Sequence, residues 1–211
     1  MIGDLARLYA QGGPMMHPIT ACSVAALTVA FWKLAQFRTL QVEAAGLFAR
    51  VRKELLNGRV REAGEECERS PGPTAAVLHA GILKAGAPRE EVASAMEAAA
   101  LYEVARLESK LGFLATVATV APLLGVLGTV WGMIVAFDVI HARGLSDPAR
   151  VAGGIAQALI TTAWGLVVAV VAVPFHNYCA GRVTAQSGTL EMAESVLLET
   201  LSEMERMGTK A

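Results

Sequence analysis

Cysteine and histidine are scarce in these 211 residues, and neither is grouped. Cys22, Cys67 and Cys179 lie far apart with no CxxC spacing, so no disulfide framework or thiolate metal site is read and three buried, unpaired thiols are expected. His17, His79, His141 and His176 are equally dispersed, and no two share the helical spacing of a local metal site. An excess of one charge is also missing: 18 Lys and Arg face 19 Asp and Glu, scattered rather than clustered, which removes a nucleic-acid footprint. No Ser/His pair, paired aspartates or metal constellation supports an intramembrane enzyme. No cofactor is implied.

Two further absences are local. No charged residue occurs from Leu111 to Phe137, or from Val151 to Gly181. A hydrocarbon core about 30 Å thick needs ~20 apolar residues in a helix, and both runs exceed that length. With 54% hydrophobic content, the chain divides into apolar spans and polar segments rather than into soluble domains. The apolar run Ile19 to Trp32 lacks the early basic segment of a cleaved signal peptide, and is read as a retained first span.

The expected fold class is an all-α membrane protein with three transmembrane helices and long helical extensions. Residues 1–15 form an N-terminal segment, 16–36 the first span, 37–110 a polar helical region, 111–140 the second span, 141–150 a short turn, 151–179 the third span and 180–211 a C-terminal helix. Lys33, Arg38, Arg50, Arg52 and Lys53 follow span one and Arg106 and Lys110 precede span two, against Arg7, Arg143 and Arg150 on the other side. Basic residues favour the cytoplasm, so the large loop and C-terminus are expected inside and the N-terminus outside.

Within 37–110 the composition stays helical, with interruptions at Gly58, at Pro71-Gly72-Pro73 and near Gly86 and Pro88. From Arg89 no breaker appears through Lys110, so one helix is expected to run into span two. In the tail, Leu190, Ala193, Leu197, Leu201 and Met204 recur at helical spacing, predicting an amphipathic helix that packs on a neighbour.

The apolar spans carry small residues in register. Ala118, Ala121, Gly125, Gly128, Thr129, Gly132 and Ala136 recur at three- and four-residue steps on span two, as do Gly154, Ala158, Thr161, Thr162, Gly165, Ala169 and Ala172 on span three. Small residues let membrane helices approach closely, where association relies on packing and interhelical hydrogen bonds. Pro122, Gly125, Gly128, Gly132, Ala158 and Gly165 are therefore candidate packing positions. Thr129, Thr161, Thr162 and Gln157 are candidates for lining a narrow path, because polar groups in hydrocarbon must face protein or water. Gly-xxx-Gly patterns and threonines bonded to their own preceding turn serve plain helix packing equally well. Neither span has a titratable group at its middle, and Asp138 falls toward an end; a proton relay needs such a group, so it would have to come from another chain.

The segments from Ala121 to Met133, APLLGVLGTVWGM, and from Gly154 to Leu166, GIAQALITTAWGL, followed by Pro174 and Asn177-Tyr178, resemble the ExbB/TolQ branch of the MotA/TolQ/ExbB proton-channel family. The resemblance is close over spans two and three; elsewhere it rests on placement and length. It implies an inner-membrane homopentamer whose second and third spans surround the single spans of an ExbD-like or TolR-like partner. There a partner aspartate carries the proton, and proton flow powers an effector such as TonB or TolA. Carried over by motif position, Thr129 and Thr162 face that aspartate. Gln157 stands where the family motif usually has glutamate; an amide cannot titrate but still donates and accepts hydrogen bonds. The expected function is thus an ExbB-like channel and stator subunit serving a TonB-type effector in outer-membrane import. The alternatives are a TolQ-like envelope-integrity or motility motor subunit and a non-conducting membrane scaffold.

Overall fold

The computed structural model describes residues 2–143 and 148–208, with side chains described except at 2–5, 38–45 and 143. The turn expected at 141–150 thus falls partly outside the described residues, as do the side chains of Arg38 and Arg143. Among the described residues every regular element is a helix: α1 (Ile2–Gln11), α2 (Met16–Leu56), α3 (Val60–Arg69), α4 (Pro73–Ile82), α5 (Arg89–Glu108), α6 (Leu111–Arg143) and α7 (Pro148–Arg206). Three stretches are long and apolar enough to cross a membrane: Met16–Phe37, one within Arg89–Ala142 and one within Pro148–Arg206, with mean hydropathies of 1.5, 2.1 and 2.2.

The chain forms two compact units. The membrane unit takes the residues up to Trp32 together with Lys110–Tyr178, and the charged unit takes Lys33–Ser109 and the chain from Cys179 onward. The membrane unit has a sparse core: Ile19 and Ala26 of α2, Val117 and Ala121 of α6 and Val168 of α7, with Cys22, Leu124 and Trp164 against it. Its outward positions are apolar. Leu123, Val126, Val130, Phe137, Leu159 and Val170 are all more than half exposed, a surface that water would not tolerate and that lipid or partner helices cover. Pro122 and Pro174 lie inside α6 and α7 without ending them. Each removes one backbone donor, a defect membrane helices accommodate.

In the charged unit, local chemistry sets the helix ends. Gly58, at φ +77°, closes α2: its N–H donates to the Leu55 carbonyl at 2.8 Å and the Arg59 N–H to the Glu54 carbonyl at 2.9 Å, the paired bonds of a glycine-terminated helix. Pro73 opens α4, where a missing N–H costs nothing. Glu90 and Glu91 begin α5 and Arg106 sits in its last turn, matching the helix dipole. Leu47, Val51 and Leu55 of α2, Cys67 of α3, Val77 and Leu78 of α4, Met96 of α5 and Leu190, Ala193 and Leu197 of α7 form one core. The amphipathic tail therefore packs on helices of its own chain.

The N-terminal segment, for which the sequence predicts no element, holds the helix α1. Two sequence expectations need correction. Cys22 is half-buried; only Cys67 and Cys179 are fully inside, and all three are unpaired. Most consequentially, α5 does not run into span two, because Lys110 adopts φ +69° and the helix stops at Glu108. The break falls where no glycine or proline announces it. The fully buried Lys33 ammonium donates to the Leu107 carbonyl at 2.6 Å, taking an acceptor at the end of α5. Within the membrane unit, the Lys110 ammonium lies 4.1 Å from the centre of the Trp32 ring, a cation–π contact.

Candidate functional site

The small residues of α6 and α7 meet face to face, antiparallel. A Cβ on Gly132 would lie 2.7 Å from the Gly154 carbonyl oxygen and 2.8 Å from the Ala158 nitrogen; on Gly165 it would lie 2.6 Å from the Ala121 oxygen. On Gly125 it would come within 3.1 Å of the Thr161 oxygen and the Thr162 Cα, and on Gly128 it would overlap the Thr161 side chain. Most of these neighbours are backbone atoms, which cannot turn aside. The two helices are in main-chain contact along this seam, so Gly125, Gly128, Gly132, Ala158 and Gly165 lie within it. Pro122 is half-buried beside it.

The hydroxyls divide. Thr161 is wholly buried in the seam and donates back to the Ala158 carbonyl at 2.9 Å or the Gln157 carbonyl at 3.1 Å. Thr162 is half-buried and donates across the seam to the Gly125 carbonyl at 3.1 Å, with the Ala158 carbonyl of its own helix at 3.3 Å as the alternative. Thr129, also half-buried, donates to the Val126 carbonyl at 2.6 Å. Both half-buried threonines have their protons engaged by carbonyls and retain oxygen lone pairs as acceptors.

Which edge of the seam they occupy follows from helix geometry. Leu124 and Trp164 pack toward α2. Thr129 lies five residues beyond Leu124, and Thr162 five beyond Gln157, steps of roughly 140° around a helix. Thr129 and Thr162 therefore share the edge turned away from α2. Gln157 lies on the other edge, where its side-chain amide fills the space that a Cβ on Gly13 would take. The structure brings the two threonines to one side and sets Gln157 apart from them.

No ionisable side chain lies within the seam. Asp138 is exposed toward the end of α6. Among the described residues, no group of three His, Cys, Asp or Glu could hold a metal ion. Sequence reasoning treated Lys33 as a flanking charge, whereas it is fully buried. Its signal was periodicity: Ala26, Ala30, Lys33 and Phe37 recur at helical spacing, and all are buried on one face of α2.

The arrangement defines a class: a three-span membrane protein whose second and third helices form a main-chain-tight pair with hydroxyls along its outer edge. Residues 69–192, more than half of the chain, match the MotA/TolQ/ExbB proton channel family. The chain belongs to that family, which is a proton channel family and not an enzyme family. A biopolymer transport protein ExbB homolog of Methanothermobacter thermautotrophicus is 29% identical over 195 residues, 92% of this chain and 69% of that protein. The Tol-Pal system protein TolQ of Haemophilus influenzae is 45% identical over 91 residues, 43% of this chain and 40% of TolQ. Biopolymer transport protein ExbB of Salmonella typhimurium is 42% identical over 88 residues, 41% of this chain and 36% of that protein. The matches to the last two thus span less than half of either relative.

Proposed function

We propose that this chain is an ExbB-like proton-channel and stator subunit. With a single-span, ExbD-like partner carrying the proton-binding aspartate, it converts proton-motive force into mechanical work on a TonB-type effector for outer-membrane import. It acts as a homopentamer in a bacterial inner membrane, with the N-terminus periplasmic and the C-terminus cytoplasmic. The observation that carries this reading is the pairing of Thr129 and Thr162 on one edge of a tightly packed helix pair whose seam holds no ionisable side chain. Two acceptor oxygens there hydrate or bond a partner's carboxyl group, and the seam supplies no titratable group of its own. Thr161, buried in the seam, serves packing. Each elementary charge crossing 100 mV releases ~2.3 kcal/mol, so a few protons per cycle are enough to disrupt a protein contact.

The test is proton flux into vesicles holding this chain co-expressed with its partner. Thr129→Val and Thr162→Val should each abolish most flux while the ring still assembles. Undiminished flux in both variants would leave the non-conducting scaffold as the better account.

The 45% identity to TolQ over 91 residues supports a second reading, a TolQ-like subunit maintaining the envelope. Complementation separates the two: rescue of TonB-dependent uptake favours the first, rescue of detergent resistance in a Tol-deficient strain the second. A motility motor would rescue neither.

A further inference from the structure

We infer that Gln157 is a positioning residue that holds the turn between α1 and α2 and stands off the proton path. The turn is built on Gly12 and Gly13. Gly13 adopts φ +67°, and the Gln157 amide rests against it where any Cβ would intrude. A Cβ on Gly12 would intrude on the Met16 side chain and come within 3.3 Å of Ile160 Cγ2, one turn along α7 from Gln157. Met16 itself is 1% exposed, and its N–H donates to the Gly13 carbonyl at 3.2 Å. Tyr9 closes the corner from α1, with its hydroxyl 2.7 Å from His17 Nδ1 of α2. Gln157 and Ile160 are thus the α7 side of a packed corner in which a Cβ on Gly13 or Gly12 would displace the Gln157 or Met16 side chain.

An amide suits this place because it is neutral and offers both donors and an acceptor beside turn backbone that an apolar setting would otherwise leave poorly solvated. Its separation from Thr162 by roughly 140° around α7 puts the glycine seam between it and the threonine edge. The positioning role stands on the contact alone; the exclusion from the path rests on the channel reading proposed above.

Two readouts on the co-expressed complex in lipid nanodiscs or vesicles separate the claims: amide hydrogen exchange over residues 8–17, and proton flux with its pH profile. Gln157→Met keeps length and replaces the amide that rests against Gly13 by an apolar group. It should speed exchange in that segment by about tenfold, the scale of one polar contact beside partly buried backbone. Flux should stay within about twofold with an unaltered pH profile, since an off-path group contributes no transition-state binding. Gly13→Ala, which disturbs the same contact from the other side, should reproduce the faster exchange. Unchanged exchange in both variants overturns the positioning role. A fall in flux or a displaced pH profile in Gln157→Met that Gly13→Ala does not reproduce puts the amide on the path and overturns the exclusion. If the parent complex conducts no protons, the channel reading fails, while exchange still decides the positioning role.

Discussion

The two units of this chain are held together by opposite means. In the charged unit, large side chains fill the core: Leu55, Leu78, Met96 and Leu197 are at most 1% exposed, and ion pairs such as Arg50–Glu66 at 2.9 Å and Lys84–Glu91 at 2.7 Å decorate the surface. In the membrane unit, the closest contact is made by residues with almost no side chain, while large apolar groups point outward. The difference is one of solvent. Water drives leucines together, whereas hydrocarbon is indifferent to them, so helices in lipid gain by bringing backbones close enough for dispersion and short polar contacts.

The sharpest way to break the comparison is to truncate one buried leucine. Leu197→Ala should cost the charged unit ~2–5 kcal/mol through lost burial and a residual cavity. Leu127→Ala, at a position 49% exposed in the membrane unit, should change thermal stability in detergent far less. Equal losses would mean that both units have the same kind of core.

A methyl group provides the converse test. Gly132→Ala forces a Cβ onto backbone atoms 2.7 and 2.8 Å away, and should destabilise by ~1–3 kcal/mol through overpacking. In the charged unit, the nearest atom to a Cβ on the helical Gly64 is 3.8 Å away, so Gly64→Ala should stabilise by ~0.5–1 kcal/mol through helix propensity. Melting curves of the two variants should move in opposite directions, and a common direction would undercut the contrast.

The smallest effect concerns Cys67, buried in α3. Burial, helped by the Glu66 carboxylate, pushes its thiol from an ordinary 9.0 up to about 12. The folded state thus holds the proton more tightly than the unfolded chain. The stabilisation is fully present below pH 9 and drains away as the pH rises from 9 toward 12. Thiol alkylation at pH 8 should be slow in the folded protein and become fast on unfolding. Rapid labelling of native Cys67 would show that the core around it opens readily.

Much of the fold was legible because helices in lipid write their length in uninterrupted apolar runs, and because Gly58 and Pro73 punctuate the polar region. The break before α6 was not, since Lys110 has no turn signature and the Lys33 contact at the end of α5 comes from a residue distant in sequence. α1 escaped notice because it is short, and its corner depends on contacts with Gln157 and Ile160 of α7. The small faces were readable from periodicity. Periodicity could not tell which edge α2 covers, and that decides whether Thr129, Thr162 and Gln157 act together.

The Lys33 bond also sets a clock. Its ammonium and the Leu107 carbonyl are 74 residues apart. At ~5–20 residues per second, a ribosome needs roughly 4–15 s to make the acceptor after the donor has emerged. Throughout that interval Lys33 lacks this acceptor, so the contact that joins α2 to the end of α5 is completed only after α2 has been made.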